Sequence, residues 1–271
     1  MRQTEIKLLA LDLDGTLIGD DLIIAPEAKE AIKAAVSQGV IVTLATGRMF
    51  RSARPFAEEL ALKVPLICYQ GAMVRNPITG ETLFHQPIEL GLARQFIMQT
   101  QERGLHVHSY VNDQLYVAAL TEQARFYSAL SRVEAQVVGN LLDFINQPGR
   151  EPTKLVIVTE PERTYPLVAE FEALFAGRLY ITRSHARLVE AVNPGCNKGI
   201  ALQALAQSLG LVARQVMAIG DNLNDLPMFD YASLKIAVAN AAPELKARAD
   251  YVTQGEIAQG VVEAIKRFIL D

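Results

Sequence analysis

Cysteine is scarce in this chain. Cys68 and Cys196 are the only two, far apart and in no Cys-x-x-Cys pair, which excludes a disulfide scaffold and fits a reducing, cytoplasmic address. A dominant charge is missing as well. Twenty-six basic against thirty acidic residues leave a formal net charge of −4, so nucleic acid and anionic membrane are poor partners. No apolar run reaches the roughly 18 residues that span a bilayer. The opening stretch "MRQTEIKLLALDLD" is too polar early, and too acidic after its apolar run, for a secretory signal. No Asn-x-Ser/Thr acceptor, internal repeat or low-complexity tract interrupts the chain. What is present is apolar: 50% of 271 residues, enough for a large core in one or two domains.

The apolar residues fall into two patterns. Up to about residue 75 short runs alternate with helix signals. "IKLLAL" (6–11), "VIVTLA" (40–45) and "VPLICY" (64–69) have strand length, and "APEAKEAIKAAVSQG" has a first-turn proline and a terminal glycine. Such runs, apolar throughout, imply a parallel sheet covered on both faces. "RNPITGETLFHQP" carries turn signals and reads as a hairpin leading outward. From about 84 to 190 strands cluster: two around Asn112-Asp113, then "TKLVIVT", "RLYITRS" and "RLVEAV". This predicts an antiparallel sheet with helices on one face. Alternation resumes with "NKGIALQALAQSLG", "QVMAIGD" and "LKIAVA". The expected fold is α/β: a Rossmann-like parallel core, residues 1–83 and 191–271, with helices on both faces, interrupted by an inserted α+β domain, 84–190.

The first strand ends in "LDLDGT", which sets Asp12 and Asp14 side by side at the tip of an apolar run. Two buried carboxylates repel and are costly to desolvate, so a cation, a proton or a charged substrate must offset them. In an open parallel sheet, ligands bind beyond the carboxyl ends of the strands. The other tips carry Thr46-Gly47-Arg48, Gln70-Gly71 and Gly220-Asp221-Asn222, with Asn224 and Asp225 close behind. Lys198 begins the helix before the last of these strands. Acids suit a hard cation with oxygen ligands, Mg²⁺ above all where phosphate is bound. A hydroxyl, glycine amides and a lysine make an anion cradle. Together they suit phosphoryl transfer, with one carboxylate as nucleophile and its neighbour as acid and base.

"DLDGT", "TGR", "NKG" and "GDNLNDLPM" follow one another in the order found in the haloacid dehalogenase-like hydrolase superfamily. The chain resembles its Cof-type phosphatases over nearly its whole length, and the insertion matches their large cap domain. The resemblance implies a Mg²⁺-dependent phosphatase of small phosphorylated metabolites, most often sugar phosphates. It implies Asp12 as nucleophile and Asp14 as general acid/base, with its backbone carbonyl on the metal. Thr46 and Lys198 would hold the phosphoryl group, Lys198 also offsetting Asp12. Gly47 would give a backbone amide and Asn224 would contact phosphate. Asp221 would bind the metal and Asp225 would support its shell. Relatives often have Asn-Gly-Ala where this chain has Gln70-Gly71-Ala72, which leaves the Gln70 side chain without an inherited role.

Plainer readings compete at single positions. Thr46 could cap a helix, Lys198 could be solvated, Asp225 could cap the helix near Pro227, and Arg48 reads as a surface or loop-anchoring residue. Both cysteines read as packing residues. His106 and His108 share a strand face, but a metal site would need a third ligand. Arg183, His185 and Arg187 sit at a hairpin of the insertion, either solvated or reading the substrate. A hexose phosphomutase is the alternative activity. It needs a second phosphate site, built from among Arg103, Arg125, Arg132, Arg163, Arg178, Arg183 and Arg187. A phosphorylated receiver switch is disfavoured by Asp14, and a metal-dependent glycosyltransferase explains neither Lys198 nor the Gly220–Asp225 loop.

Overall fold

The computed structural model describes residues 5–270; the ends of the expected core segments, 1–4 and 271, lie outside them. Fourteen strands are assigned among the described residues. The first five are β1 (Leu8–Leu11), β2 (Ile41–Leu44), β3 (Leu66–Cys68), β4 (Met73–Arg75) and β5 (Thr82–His85). Six follow in the middle of the chain: β6 (His106–Val111), β7 (Gln114–Val117), β8 (Ala135–Val137), β9 (Lys154–Val158), β10 (Tyr180–His185) and β11 (Leu188–Val192). The last three are β12 (Val216–Gly220), β13 (Leu234–Ala237) and β14 (Tyr251–Val252). The first helices are α1 (Pro26–Ser37), α2 (Phe50–Glu59), α3 (Leu90–Glu102), α4 (Glu122–Ser131), α5 (Leu141–Ile145) and α6 (Pro161–Leu174). After them come α7 (Lys198–Ser208), α8 (Leu226–Tyr231), α9 (Pro243–Lys246) and α10 (Ile257–Ile265).

The core sheet has the order β14-β13-β12-β1-β2, and every pairing in it is parallel. β1 is an interior strand, between β12 and β2, with all four residues buried, which is why its sequence is apolar without alternation. Each fully buried leucine there contributes about 1.5–3 kcal/mol. The third apolar run departs from expectation. β3 touches the parallel sheet through one bridge, Ala45 to Ile67, and otherwise joins a small antiparallel sheet, β3-β4-β5. The reason is local: Tyr69, Gln70 and Gly71 all take positive φ (53°, 58° and 96°), and the chain reverses there instead of continuing.

The cap sheet has the order β10-β11-β9-β6-β7-β8. It is mixed, not wholly antiparallel, because β7 and β8 run parallel with α4 between them as the crossover. Asn112 and Asp113 both take positive φ (50° and 56°) and close the β6–β7 turn as expected. Alternation sorts the two faces. Leu155, Ile157, Val189 and Ala191 pack into a separate cap core with residues of α3, α5 and α6. Val156, Val158, Leu188 and Val192 join the main core on the opposite face. Lys154 and Glu190 share the parity of that second set, so they face the parallel domain. The expected domain limits, 83/84 and 190/191, fall within β5 and β11. The two segments that leave these strands lie together, Asn193 Nδ2 donating to the Pro87 carbonyl at 3.0 Å.

Candidate active site

The backbone amide of Asp12 donates to the Ile219 carbonyl at 3.0 Å, so pairing with β12 continues one residue past β1 and fixes Asp12 at the shared strand tips. Its side chain is buried, and Lys198 Nζ lies 2.5 Å from Oδ1. The same ammonium donates to Asp225 Oδ1 at 2.6 Å. Lys198 is the first residue of α7, capped by Asn197, whose Oδ1 accepts from the Ile200 amide at 2.8 Å. Burial pushes the Lys198 pKa down, but Asp12 and Asp225 more than offset this and hold it above its ordinary value. Gly199 is required by packing: a Cβ there would lie 2.0 Å from the Pro227 carbonyl oxygen, where α7 meets α8.

Asp12, Asp221 and Asp225 each bring a carboxylate oxygen within 4.8 Å of the others. Thr16 Oγ1 donates to Asp221 Oδ1 at 3.0 Å. Asp225 Oδ2 accepts from the amides of Asp221 and Asn222 at 3.0 and 3.1 Å, so it supports the loop that carries Asp221. Gly15, at φ +84°, lets the chain turn close by, where a Cβ would lie 2.4 Å from Asp221 Oδ2. Burial, followed by repulsion from Asp225, raises the Asp12 pKa well above the carboxylate range and that of Asp221 to about 7. One lysine therefore does not neutralise three acids. An oxygen donor set with this unmet negative charge can hold a divalent cation.

Asp14 is brought to the same strand tip but is not in that group. Its carboxylate faces Arg48, whose Nε lies 2.8 Å from Oδ2 and whose Nη2 lies 2.6 Å from Oδ1. Arg48 is buried, not a surface residue, and also donates to Ser52 Oγ at 3.0 Å. Burial lowers its pKa, but the Asp14 carboxylate outweighs this and holds it raised. Thr46 is fully buried, its Oγ1 accepting from the Arg48 amide at 3.1 Å. Asn224 is buried, Nδ2 donating to Gln70 Oε1 at 3.1 Å, while its Oδ1 has no partner among the described residues.

Gln70 thereby gains a place. Its Nε2 donates to Glu190 Oε2 at 3.2 Å, joining Asn224 to the cap. The positive φ values at Tyr69 and Gln70 cost of order 1–3 kcal/mol each, and the bonds to Gln70 help to hold that conformation. Lys154 donates to the Gly47 carbonyl at 2.6 Å and to Glu190 Oε2 at 2.9 Å, both charged side chains being 1% exposed. Burial lowers the Lys154 pKa, and Glu190 more than reverses that. Ser184 Oγ donates to Glu190 Oε1. Two further contacts tie cap to core, Tyr69 Oη to Asp113 at 2.8 Å and Ser52 Oγ to the Ser131 carbonyl at 2.5 Å. A cavity of about 50 Å³ over Asp12 and Asp14 is lined from the cap by Tyr127, Leu130 and Lys154, among others. A larger one, about 310 Å³, adjoins it past Leu130, Ser184 and His185.

Sequence reading missed Lys154, Glu190 and α4. A lone charge inside an apolar strand, as in "TKLVIV" and "RLVEAV", was the available signal. For α4 it was Thr121 ahead of Ala124, Tyr127 and Ser131 at helical spacing, and Thr121 Oγ1 does accept from the Ala124 amide at 3.2 Å. His106 and His108 hydrogen-bond each other (Nε2 to Nε2, 2.8 Å), and no third metal-ligating side chain groups with them among the described residues. Cys68 and Cys196 are free and buried, as packing residues are. Arg183 lies over the Tyr165 ring at 4.2 Å, and Arg187 is tied to Thr159 and Glu160.

Three acids and a lysine at the tips of a Rossmann-like sheet, under an inserted mixed-sheet cap, define a phosphoryl-transfer hydrolase. The chain belongs to the haloacid dehalogenase-like hydrolase family, whose sequence model matches residues 9–265. It is a Cof-type phosphatase with a cap domain, a phosphoric monoester hydrolase acting on a small phosphorylated metabolite. It is 30% identical over 270 residues to the Bacillus subtilis 5-amino-6-(5-phospho-D-ribitylamino)uracil phosphatase YcsE, covering 98% of this chain and 97% of that protein. It is 29% identical over 242 residues to an HMP-PP phosphatase of Cronobacter sakazakii, covering 89% and 87%. A haloacid dehalogenase-like hydrolase from Bacteroides thetaiotaomicron has the same fold, with a TM-score of 0.84 and 26% identity over 97% of this chain and 99% of that one. Among the described residues no helix is long and apolar enough to cross a membrane.

Proposed function

We propose that this phosphatase hydrolyses sugar phosphates and similar polyol phosphates through an aspartyl-phosphate on Asp12, with Mg²⁺ as cofactor. The observation that carries the reading is the Asp12 oxygen held 2.5 Å from a fully buried lysine, inside a group of three carboxylates. Asp12 attacks phosphorus, the P–O bond to the leaving group breaks, and Asp14 acts as the general acid that gives a proton to the departing alkoxide. Asp14 then takes a proton from water, whose oxygen attacks the same phosphorus. Inorganic phosphate leaves and the Asp12 carboxylate is restored. Lys198 offsets charge on Asp12 and on the transferring group, with Thr46, the Gly47 amide and Asn224 around it. Asp12, Asp221 and the Asp14 carbonyl would hold the metal, with Asp225 behind them. The ion, when bound, neutralises phosphoryl oxygens.

The domain division that goes with this reading is a core of 1–83 and 191–271 and a cap of 84–190. Free, buried cysteines suit a cytoplasmic setting. The phosphomutase alternative is less well supported. None of the seven cap arginines lines either cavity beside Asp14, and Arg103, Arg178 and Arg187 are engaged elsewhere. The relative that is a phosphoribitylaminouracil phosphatase supports a polyol ester, since the substrate it is named for carries the phosphate on a ribityl chain. The test is phosphate release from a panel of sugar and polyol phosphates, with Mg²⁺ and with chelator. Turnover should need the metal and vanish in Asp12→Asn. Wild-type rates in Asp12→Asn would end the reading.

A further inference from the structure

His185 stands where the two cavities meet. Asp14, Leu130, Ser184 and His185 line both, so the ring borders the phosphoryl pocket and the larger space alike. The proton on His185 can be placed. Its Nδ1 accepts from the Arg187 amide at 3.1 Å, so in the neutral ring the proton is on Nε2, and Nε2–H is left as a donor with no hydrogen-bond partner among the described residues. Burial holds the ring below its ordinary pKa, against the pull of Asp14, Asp20 and Glu190, and so favours the neutral form. The ring is also held in place. It lies 5.9 Å from Phe126, and Arg187 covers that same Phe126 at 4.3 Å while donating to the Thr159 carbonyl at 3.0 Å.

The charge of the larger cavity is one-sided. Its ionisable lining besides His185 is Asp14, Asp20 and Asp221, with Asn222 and Asn240 beside them, and it includes no lysine or arginine. In the smaller cavity Arg48 is committed to Asp14, and Lys154 to Glu190 and the Gly47 carbonyl. Asp14 is paired with Arg48 and Asp221 would face the metal, so a second phosphate or a carboxylate on the leaving group would meet the uncommitted Asp20 and find no free lysine or arginine. Hydroxyl and amino groups would find acceptors there.

We infer that His185 is a specificity-determining residue of this phosphatase. Its Nε2–H binds an acceptor oxygen of a neutral or cationic, hydroxyl- or amino-bearing leaving group, and the outer cavity rejects leaving groups that carry a second anion. This rests on the phosphatase reading above and narrows its substrate class.

The probes are glucose 6-phosphate, glucose 1,6-bisphosphate and phenyl phosphate, whose leaving group has no further oxygen. Wild-type kcat/KM should be at least about tenfold lower for the bisphosphate than for the monophosphate, because like charges would be juxtaposed. In His185→Ala, the ratio of kcat/KM for glucose 6-phosphate to that for phenyl phosphate should fall about 3- to 10-fold, as KM rises more than kcat falls. His185→Gln keeps a donor and should recover part of the ratio. An unchanged ratio in His185→Ala, or a bisphosphate taken as readily as the monophosphate, overturns the inference. Phenyl phosphate turnover that survives Asp12→Asn would instead overturn the mechanism beneath it, which keeps the two failures apart.

Discussion

Replacing Lys154 by methionine should destabilise the whole protein, by an amount the structure allows to be worked out. Lys154 and Glu190 are both 1% exposed, and their ion pair is 2.9 Å long. Methionine removes that pair and the 2.6 Å bond to the Gly47 carbonyl, and it leaves Glu190 with only Gln70 and Ser184 as donors. Breaking a buried pair by removing one partner costs about 3–5 kcal/mol, because the remaining charge is uncompensated. Against a typical total of roughly 5–15 kcal/mol this is a large fraction. Equilibrium urea denaturation measures it, the slope with denaturant serving as a check on the unfolding model. The double variant Lys154→Met/Glu190→Leu leaves no stranded charge and should lie closer to wild type than Lys154→Met. A single variant within about 1 kcal/mol of wild type, or a double variant no better than Lys154→Met, would refute the reasoning.

Other outcomes follow from the site. Asp14→Asn should lower turnover by about 10²–10⁴-fold while leaving substrate affinity nearly intact, read from kcat and KM. The raised Asp221 pKa, about 7 against 3.8, means that the metal-free folded state holds its proton more tightly than the unfolded chain. Stability from this group is present below about pH 4 and is lost as pH rises to about 7, at most roughly 4 kcal/mol in all. The lowered pKa values of His106, His108 and His185 act in the opposite sense, so the signal is the difference between wild type and Asp221→Asn in chelator. Melting curves at pH 5 and pH 8 should show that difference, and Mg²⁺ should stabilise wild type more at pH 8; an equal metal effect at both values would count against the site. Gly199→Ala should cost about 1–3 kcal/mol by forcing α7 from α8, and a melting temperature equal to wild type would show that the contact yields.

Much of the site was legible because its residues break an otherwise apolar pattern. Asp12, Thr46 and Asp221 follow runs that only a doubly covered sheet explains, and topology gathers such tips at one edge. Lys198 was legible from its place at a helix start. The cap's contribution was harder to read. Lys154 and Glu190 lie 36 residues apart and are brought together by β9 pairing with β11, a register that depends on the whole sheet. Gln70 was unreadable for another reason: its position depends on backbone angles at 69–71 that non-glycine residues seldom adopt. Arg48 looked like a loop residue because sequence gives no burial for a side chain that turns back onto its own strand-tip neighbour.

The interior place of β1, beside β12, also bears on how the protein is made. Leu8–Leu11 pair with Val216–Ile219, about 200 residues later in the chain. At ribosomal speeds of about 5–20 residues per second, the strand that leads into Asp12 waits roughly 10–40 s for that neighbour. All six strands of the cap sheet, ending at Val192, emerge during the wait. The inserted domain can therefore close first, and the catalytic half is among the last parts of the nascent polypeptide to be completed.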